Sequence, residues 1–543
     1  MNLHRLDIPL KQTHAFSALV QDFVQKDEFL RPFLTDFPTP EAVQELARSR
    51  AADYRDRAVL QEVLNEAYAR LRPEPAVQEN LAKLGHPNTV TVCTAHQPGV
   101  FTGHLYFVYK TLHCIRVCRE MNALNDGLHY VPVFYLGSED NDLEEIGELP
   151  VDGGSLQWDS GQTGACGRMK TSGFEPLLSA VESLLQPDRK EDRQLMDLFR
   201  RAYNGEHTLA EATRFLLHEL FGTYGLLVLD ADDARLKRLF LPVLREELFH
   251  QSARPVVEET LKRLGERYRE QATPRDLNLF YLQPGIRERI EKQGEAWVVM
   301  NTAIRFNQVE LEEELEAHPE RFSPNVILRP LYQERILPNA LFIGGGSEVA
   351  YWMQLHDLFR HHGVSFPILQ LRRSLLWVPD ATRLRIERTG LTWPELFEGE
   401  DPYRERLIRQ HESLYRLAEL QGRVGLVLGE ISTLADALSP TLHRSTEAHH
   451  TGMRKAMQRV EKKFLAHLRR QENEQLERYR RIRQHLFPGG TLQERKEGLI
   501  FLYRETGPGF PEALLAQMSA FGQEFIVLWK DEKEFIHPEV ERK

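Results

Sequence analysis

TVTVCTAHQPGVFTGH, residues 89–104, opens as a strand and closes as a turn. The β-branched run Thr89-Val90-Thr91-Val92 suits a buried pleated strand. A polar, glycine-containing loop follows from Ala95 to His104, and the spacing after it predicts a helix over about 105 to 121. The same grammar recurs downstream. Tyr130-Val131-Pro132-Val133-Phe134-Tyr135-Leu136 ends in Gly137-Ser138-Glu139-Asp140-Asn141-Asp142, and Gly225-Leu226-Leu227-Val228-Leu229 ends in Asp230. Short apolar strands that alternate with helices and end in polar loops predict an α/β, Rossmann-like, doubly wound parallel sheet. Ligands of such a sheet sit beyond the strand C-termini.

Outward from this core, residues 39 to 84 carry apolar side chains at helical spacing, and 150 to 175 read as a Gly-, Ser- and Thr-rich surface excursion. Residues of about 255–322 read as an inserted subdomain. Strand-like text resumes at Val326-Ile327-Leu328 and again at Leu341-Phe342-Ile343, which runs into Gly344-Gly345-Gly346 and a helix from near Ser347. The expected division is a core over 1–400, an antiparallel coiled-coil arm over 401–488, and a segment over 489–543 that returns to the core. In the arm, Leu407, Leu414, Leu417, Val424, Leu428, Ile431, Leu434 and Leu438 share one face before Ser439-Pro440. Met453, Met457, Val460, Phe464 and Leu468 keep coiled-coil spacing on the way back, and Leu476, Tyr479, Ile482 and Leu486 resume it after a shift.

Composition narrows the function classes. With 41% hydrophobic and 27% charged residues the chain reads as globular, and its apolar runs are too short to span a bilayer. The N-terminus has no secretory pattern, so a cytoplasmic protein is expected. The net charge of −11 argues against a nucleic-acid binder. Residues 444–496 hold 14 Lys and Arg against 6 Asp and Glu, which reads as the solvated face of the coiled coil. The four cysteines lack metal-type spacing. Cys114 and Cys118, beside His113, read as core packing, and no metal site is assigned.

Four segments carry candidate chemistry. His96 and His104 flank a loop containing Gln97, Gly99 and Gly103, placed between a strand and a helix where backbone amides favour an anion. This loop is similar to the histidine-containing first loop of class I aminoacyl-tRNA synthetases; the alternative is a turn with satisfied histidines. Glu139, Asp140 and Asp142 offer ligands for Mg²⁺, a seat for a substrate ammonium or a general base, and equally read as the cap and first turn of a helix. Arg329, Gln333, Asn339, the glycines 344 to 346, Glu348 and Tyr351 gather polar groups at one predicted sheet edge. Arg372 and Arg373 follow the strand-like Ile368-Leu369-Gln370-Leu371, where they either pair an anion or lie on the surface.

HQPGVFTGHLYFVYK, VPVFYLGSEDNDLEEI, SPNVILRPLYQERILPNALFIGGGSEVAYWMQL and the late helical arm together resemble the bacillithiol biosynthesis cysteine-adding enzyme family. The resemblance covers essentially the whole chain and is most specific from Arg329 to Trp352. It implies ligation of L-cysteine to the glucosamine amine of glucosaminyl malate, on a Rossmann-like core with inserted segments and a coiled coil used in homodimerisation. The family often has glutamine where His96 stands and proline where His104 stands, so Gly99 and Gly103 transfer better than the histidines. A carboxylate acylates an amine only after its oxygen becomes a leaving group, which makes ATP with Mg the hypothesised co-substrate, alongside a pre-activated cysteine donor. On this reading Gln97, Gly99, Gly103 and the glycine triplet face anionic groups, Glu139, Asp140 or Asp142 serve the amine or a metal, and Arg372 and Arg373 hold the malate carboxylates. The competing readings are another amino-acid-activating, nucleotidyltransferase-like enzyme and a non-catalytic coiled-coil scaffold.

Overall fold

A computed structural model describes residues 2–530. Its central sheet has five parallel strands: β1 (Thr89–His96), β2 (His129–Leu136), β3 (Leu227–Asp230), β4 (Asn339–Gly344) and β5 (Ile368–Leu371). They lie in the order β5-β4-β1-β2-β3. All but the ends are buried, as expected of strands covered by helices on both faces. From β1 the chain winds outward through β2 to β3, then returns to place β4 on the other side of β1. The crevice beyond the ends of β1 and β4 is therefore the topological switch point, where doubly wound sheets take their ligands.

The helix Leu105–Ala123 follows β1 and is buried along most of its length. Cys114 donates to the Val92 carbonyl at 3.1 Å, and His113 Nε2 lies 2.7 Å from the Ala520 carbonyl. Burial depresses His113 to a pKa of about 3, so it packs as a neutral ring. All four cysteines are free and buried.

Two sequence boundaries shift for physical reasons. The third strand begins at Leu227, because Gly225 ends a short helical turn with φ of +78°, a left-handed conformation that glycine adopts without strain. Val326-Ile327-Leu328, expected as a strand, instead turns into the helix Arg329–Ile336; the Asn325 side chain accepts from the Ile327 amide at 2.9 Å and holds the turn. Between β3 and β4 the chain builds a separate antiparallel sheet from Leu279–Gln283, Ile286–Gln293, Ala296–Val299, Arg305–Phe306 and Phe322–Pro324. A third sheet sets Phe525–Lys530 between Leu3–Ile8, antiparallel, and Leu375–Trp377, parallel.

Two compact units result. Among the described residues, one comprises 2–11, 15–379 and 491–530, and the other 12–14 and 380–490. The second holds the long helices Glu412–Leu438 and Pro440–Gln471, joined where Ser439 caps the return by accepting from the Leu442 amide at 3.2 Å. Leu476, Tyr479, Ile482 and Leu486 of the helix Asn473–Leu486 are buried, and Tyr479 stacks on Tyr403 with ring centroids 4.1 Å apart. Along the hairpin Leu428 and Ala435 are buried, whereas Val424, Ile431, Leu434 and Leu438 are 40–78% exposed. Among the described residues no helix is long and apolar enough to cross a membrane.

Candidate active site

A cleft of about 420 Å³ opens at the switch point. The strand ends deliver His96 and Gln97 from β1 and Gly137 to Asp140 from β2. Asp232 arrives after β3, Gly345 to Glu348 after β4, and Arg372 after β5. The helix Arg329–Ile336 adds Arg329, the antiparallel sheet adds Arg287, and the returning C-terminal segment adds Arg495.

Beneath the crevice, Lys110 is 1% exposed on the helix Leu105–Ala123. It donates to the Ala95 carbonyl and, at 2.9 Å, to Glu348 Oε2, which also accepts from the Gly345 amide at 2.8 Å. Burial alone would raise Glu348, but Lys110 and that amide hold its carboxylate below the ordinary range. Gly344 is obligatory, since a Cβ there would stand 2.9 Å from the Cβ of Glu348. Burial, with Lys110 adding to it, lowers His96 to a pKa of about 4, so this ring is neutral at physiological pH.

A charge audit of the cleft and its walls separates committed groups from free ones. Arg372 donates to Glu494 Oε1 at 2.6 Å, with both side chains at most 5% exposed. Arg168 grips Asp232 through two hydrogen bonds of 2.6 and 2.7 Å. Lys237 contacts Glu139, whose other oxygen accepts from Ser323 at 2.7 Å; burial, against the pull of Lys237, leaves Glu139 raised. Arg287 lies 3.8 Å from Asp140 and donates to Asn141 at 2.9 Å. Arg329, by contrast, donates only to the neutral Gln333 (3.0 Å) and Tyr351 (2.9 Å), over the ring of Tyr135. Arg495 is exposed beside the ring of Tyr106 and has no acidic partner among the described residues. On the acidic side, the Gln97 amide bridges Asp140 (2.9 Å) and Glu145 (3.3 Å). Glu145 has no cation partner among the described residues, and burial raises its pKa.

The cleft thus brings together His96, Gln97, Glu139, Asp140, Arg329, Gly345, Gly346, Glu348, Tyr351 and Arg372. Gln333 and Asn339 lie beneath it, both donating to the buried carboxylate of Glu334. Gly344 ends β4 at its floor. Asp142 is exposed and caps the helix Leu143–Ile146 by accepting from the Glu145 amide at 3.0 Å, so its carboxylate does helix-end work outside the cleft. Arg373 turns the other way, 3.4 Å from Glu524. Gly99 and Gly103 shape the turn behind the cleft wall, and His104 stacks on Tyr106. In that turn the buried Phe101 and Thr102 hold φ of +51° and +74°, a strained conformation for non-glycine residues that the Tyr203 hydroxyl secures by accepting from the Phe101 amide at 2.6 Å. The sequence reading omits Lys110, Tyr106, Glu145, Asp232, Arg287 and Arg495. A lone lysine in the otherwise apolar LYFVYKTLHC was the available signal for the first of these.

Two family descriptions match the chain: the N-terminal Rossmann-like domain of bacillithiol biosynthesis BshC over residues 1–373, and its C-terminal coiled-coil domain over 375–529. Similar proteins carry the name "Putative cysteine ligase BshC". That of Flavobacterium johnsoniae is 33% identical over 533 residues, covering 94% of this chain and 97% of the relative. That of Cytophaga hutchinsonii is 34% identical over 497 residues, covering 91% and 93%. That of Christiangramia forsetii is 32% identical over 540 residues, covering 96% and 98%.

Proposed function

The chain belongs to the bacillithiol biosynthesis BshC family, and from that premise we propose that it is a cytoplasmic ligase joining L-cysteine to the glucosamine amine of glucosaminyl malate. The observation that carries the substrate assignment is the imbalance of charge in the cleft. Arg329 and Arg495 lack acidic partners among the described residues, and Glu145 lacks a cation, its hydrogen bond coming from the neutral Gln97; Asp140, which Gln97 also reaches, has Arg287 3.8 Å away. A malyl dicarboxylate and an amine on one small molecule complement the two guanidinium groups and Glu145. Arg372 and Arg373 are not assigned to the malate carboxylates, because Glu494 already satisfies the first and the second faces away.

The chemistry follows from that seating. The cysteine carboxyl arrives activated, through ATP with Mg as hypothesised co-substrate or from a pre-activated donor. The neutral amine attacks the carbonyl carbon, the C–N bond forms, the C–O bond to the leaving group breaks, and the amine proton passes to Glu145 or Asp140. Glu139, Asp232 and Glu348 are each committed to a cation, so the cleft has no preformed Mg²⁺ cage and no step is assigned to a metal. The amides at the start of the helix Gly346–Gln354 suit an anionic leaving group. The exposed apolar stripe of the helical unit suits a second copy of the chain, giving a homodimer that sedimentation would report.

The test is mass spectrometry of the protein with glucosaminyl malate, cysteine, ATP and Mg²⁺, with enzyme-free and nucleotide-free controls and a panel of other amino acids. Enzyme-dependent cysteinyl amide is expected, and the nucleotide released distinguishes adenylylation from phosphorylation. Turnover of another amino acid in preference to cysteine would instead favour the wider amino-acid-activating reading.

A further inference from the structure

Away from the cleft, Glu246 on the helix Leu241–His250 meets the dipeptide His361-His362 at the end of the helix His356–His361. His361 Nε2 lies 2.6 Å from Glu246 Oε1, and His362 Nδ1 lies 3.4 Å from Glu246 Oε2. One ligand atom from each of the three residues falls within 4.8 Å of the others, a grouping that occurs nowhere else among the described residues. We propose that Glu246, His361 and His362 form a zinc(II) site that ties these two helices together.

The ligand set is the first argument. Two imidazoles and a carboxylate are borderline donors that favour Zn²⁺ over Mg²⁺ or Ca²⁺, and three protein ligands plus water complete a tetrahedron. Geometry is the second. Zn–N and Zn–O bonds of about 2.0–2.1 Å place tetrahedral ligands roughly 3.3 Å apart. The two contacts use different oxygens of Glu246, 2.6 Å from His361 and 3.4 Å from His362, so a shared ion requires one carboxylate oxygen and both rings to shift within a cluster whose ligand atoms already lie within 4.8 Å of one another.

The third argument is His362 itself. Its side chain is 4% exposed, and its Nδ1, the nitrogen that faces Glu246, forms no hydrogen bond with the carboxylate, which leaves that lone pair for an ion. His361 is 38% exposed, which leaves an entry path for the ion.

Full-length protein stripped with a chelator and then freed of it is titrated with ZnCl₂ against a chromophoric zinc indicator. One equivalent is expected to bind each chain. Glu246→Gln, which is isosteric, and His361→Ala, on an exposed side chain, are each expected to weaken binding by roughly 10- to 100-fold. Zinc is expected to raise the melting temperature of the parent and of neither variant. Melts in excess chelator, where parent and variants are expected to coincide, establish that the substitutions leave the fold intact. Failure to bind a stoichiometric ion, or unchanged affinity in both variants, would overturn the assignment. Loss of ligase activity on chelation is not required, so this test stands or fails independently of the proposed reaction.

Discussion

Glu334 is fully buried on the helix that carries Arg329. Its Oε1 accepts from Gln333 Nε2 at 2.8 Å and Asn339 Nδ2 at 2.9 Å, while its Oε2 has no hydrogen-bond partner among the described residues. Burial, partly offset by Arg50, pushes the carboxyl from its ordinary value of 4.5 up to about 7. A carboxyl that titrates higher in the folded chain than in the unfolded one favours folding while protonated. Its contribution is therefore fully present below pH 4.5 and is lost as pH rises through about 7. The full loss is about 3 kcal/mol, of which about 2.5 kcal/mol falls between roughly pH 5 and pH 8.5. Glu334→Gln keeps the acceptor for Gln333 and Asn339 and removes the titration. Urea unfolding of parent and variant is followed by tryptophan fluorescence, since Trp158, Trp297, Trp352, Trp377 and Trp529 lie in the same unit as Glu334 and only Trp393 lies in the other. Variant-minus-parent stability is expected to grow by about 2 to 3 kcal/mol from roughly pH 5 to pH 8.5. Parallel pH curves for the two proteins would refute the reasoning.

Arg372→Met strands Glu494 in the interior, so a destabilisation of about 3–5 kcal/mol is expected in the same urea assay. Arg329→Lys keeps a cation but loses the planar fork that reaches Gln333 and Tyr351. Steady-state kinetics should show KM for glucosaminyl malate raised roughly 10- to 100-fold, with a smaller change in kcat. Glu145→Gln removes one of the two proposed proton acceptors and, if Glu145 is the one used, lowers kcat roughly 100-fold or more. Because burial raises Glu145, the rising limb of the parent pH–rate profile should lie above the ordinary carboxylate range, and the variant should lack that limb.

The parallel sheet was legible because β1 opens on a β-branched run and β2 is a largely apolar one, both ending in polar turns, and that pattern states both the strand and the edge where ligands gather. The same rule placed Glu139, Asp140 and Glu348 at one edge, whereas Arg329 reaches it from a helix where a strand was expected. What it does not supply is who neutralises whom. Arg372 reads as a free cation until Glu494, 122 positions away, is found against it, and Arg495 reads as one more charge of the basic stretch 444–496 until the chain returns it to the cleft. Asp142 illustrates a different ambiguity. An acid four residues after a candidate capping serine serves a ligand or a helix end equally well on paper, and here it caps. Val326-Ile327-Leu328 is too short an apolar run for periodicity to separate strand from turn.

The three-stranded sheet that pairs Leu3 with Lys530 imposes an order on biogenesis. A ribosome releases Leu3–Ile8 long before its partner Phe525–Lys530, and Leu375–Trp377 waits for the same later strand. Glu494 and Arg495 likewise follow the whole helical insertion, so during synthesis the nascent cleft lacks both the acid that neutralises Arg372 and one of its two free guanidinium groups. Termination anywhere before residue 494 therefore yields a polypeptide in which Arg372 is left without its acid and the cleft without Arg495.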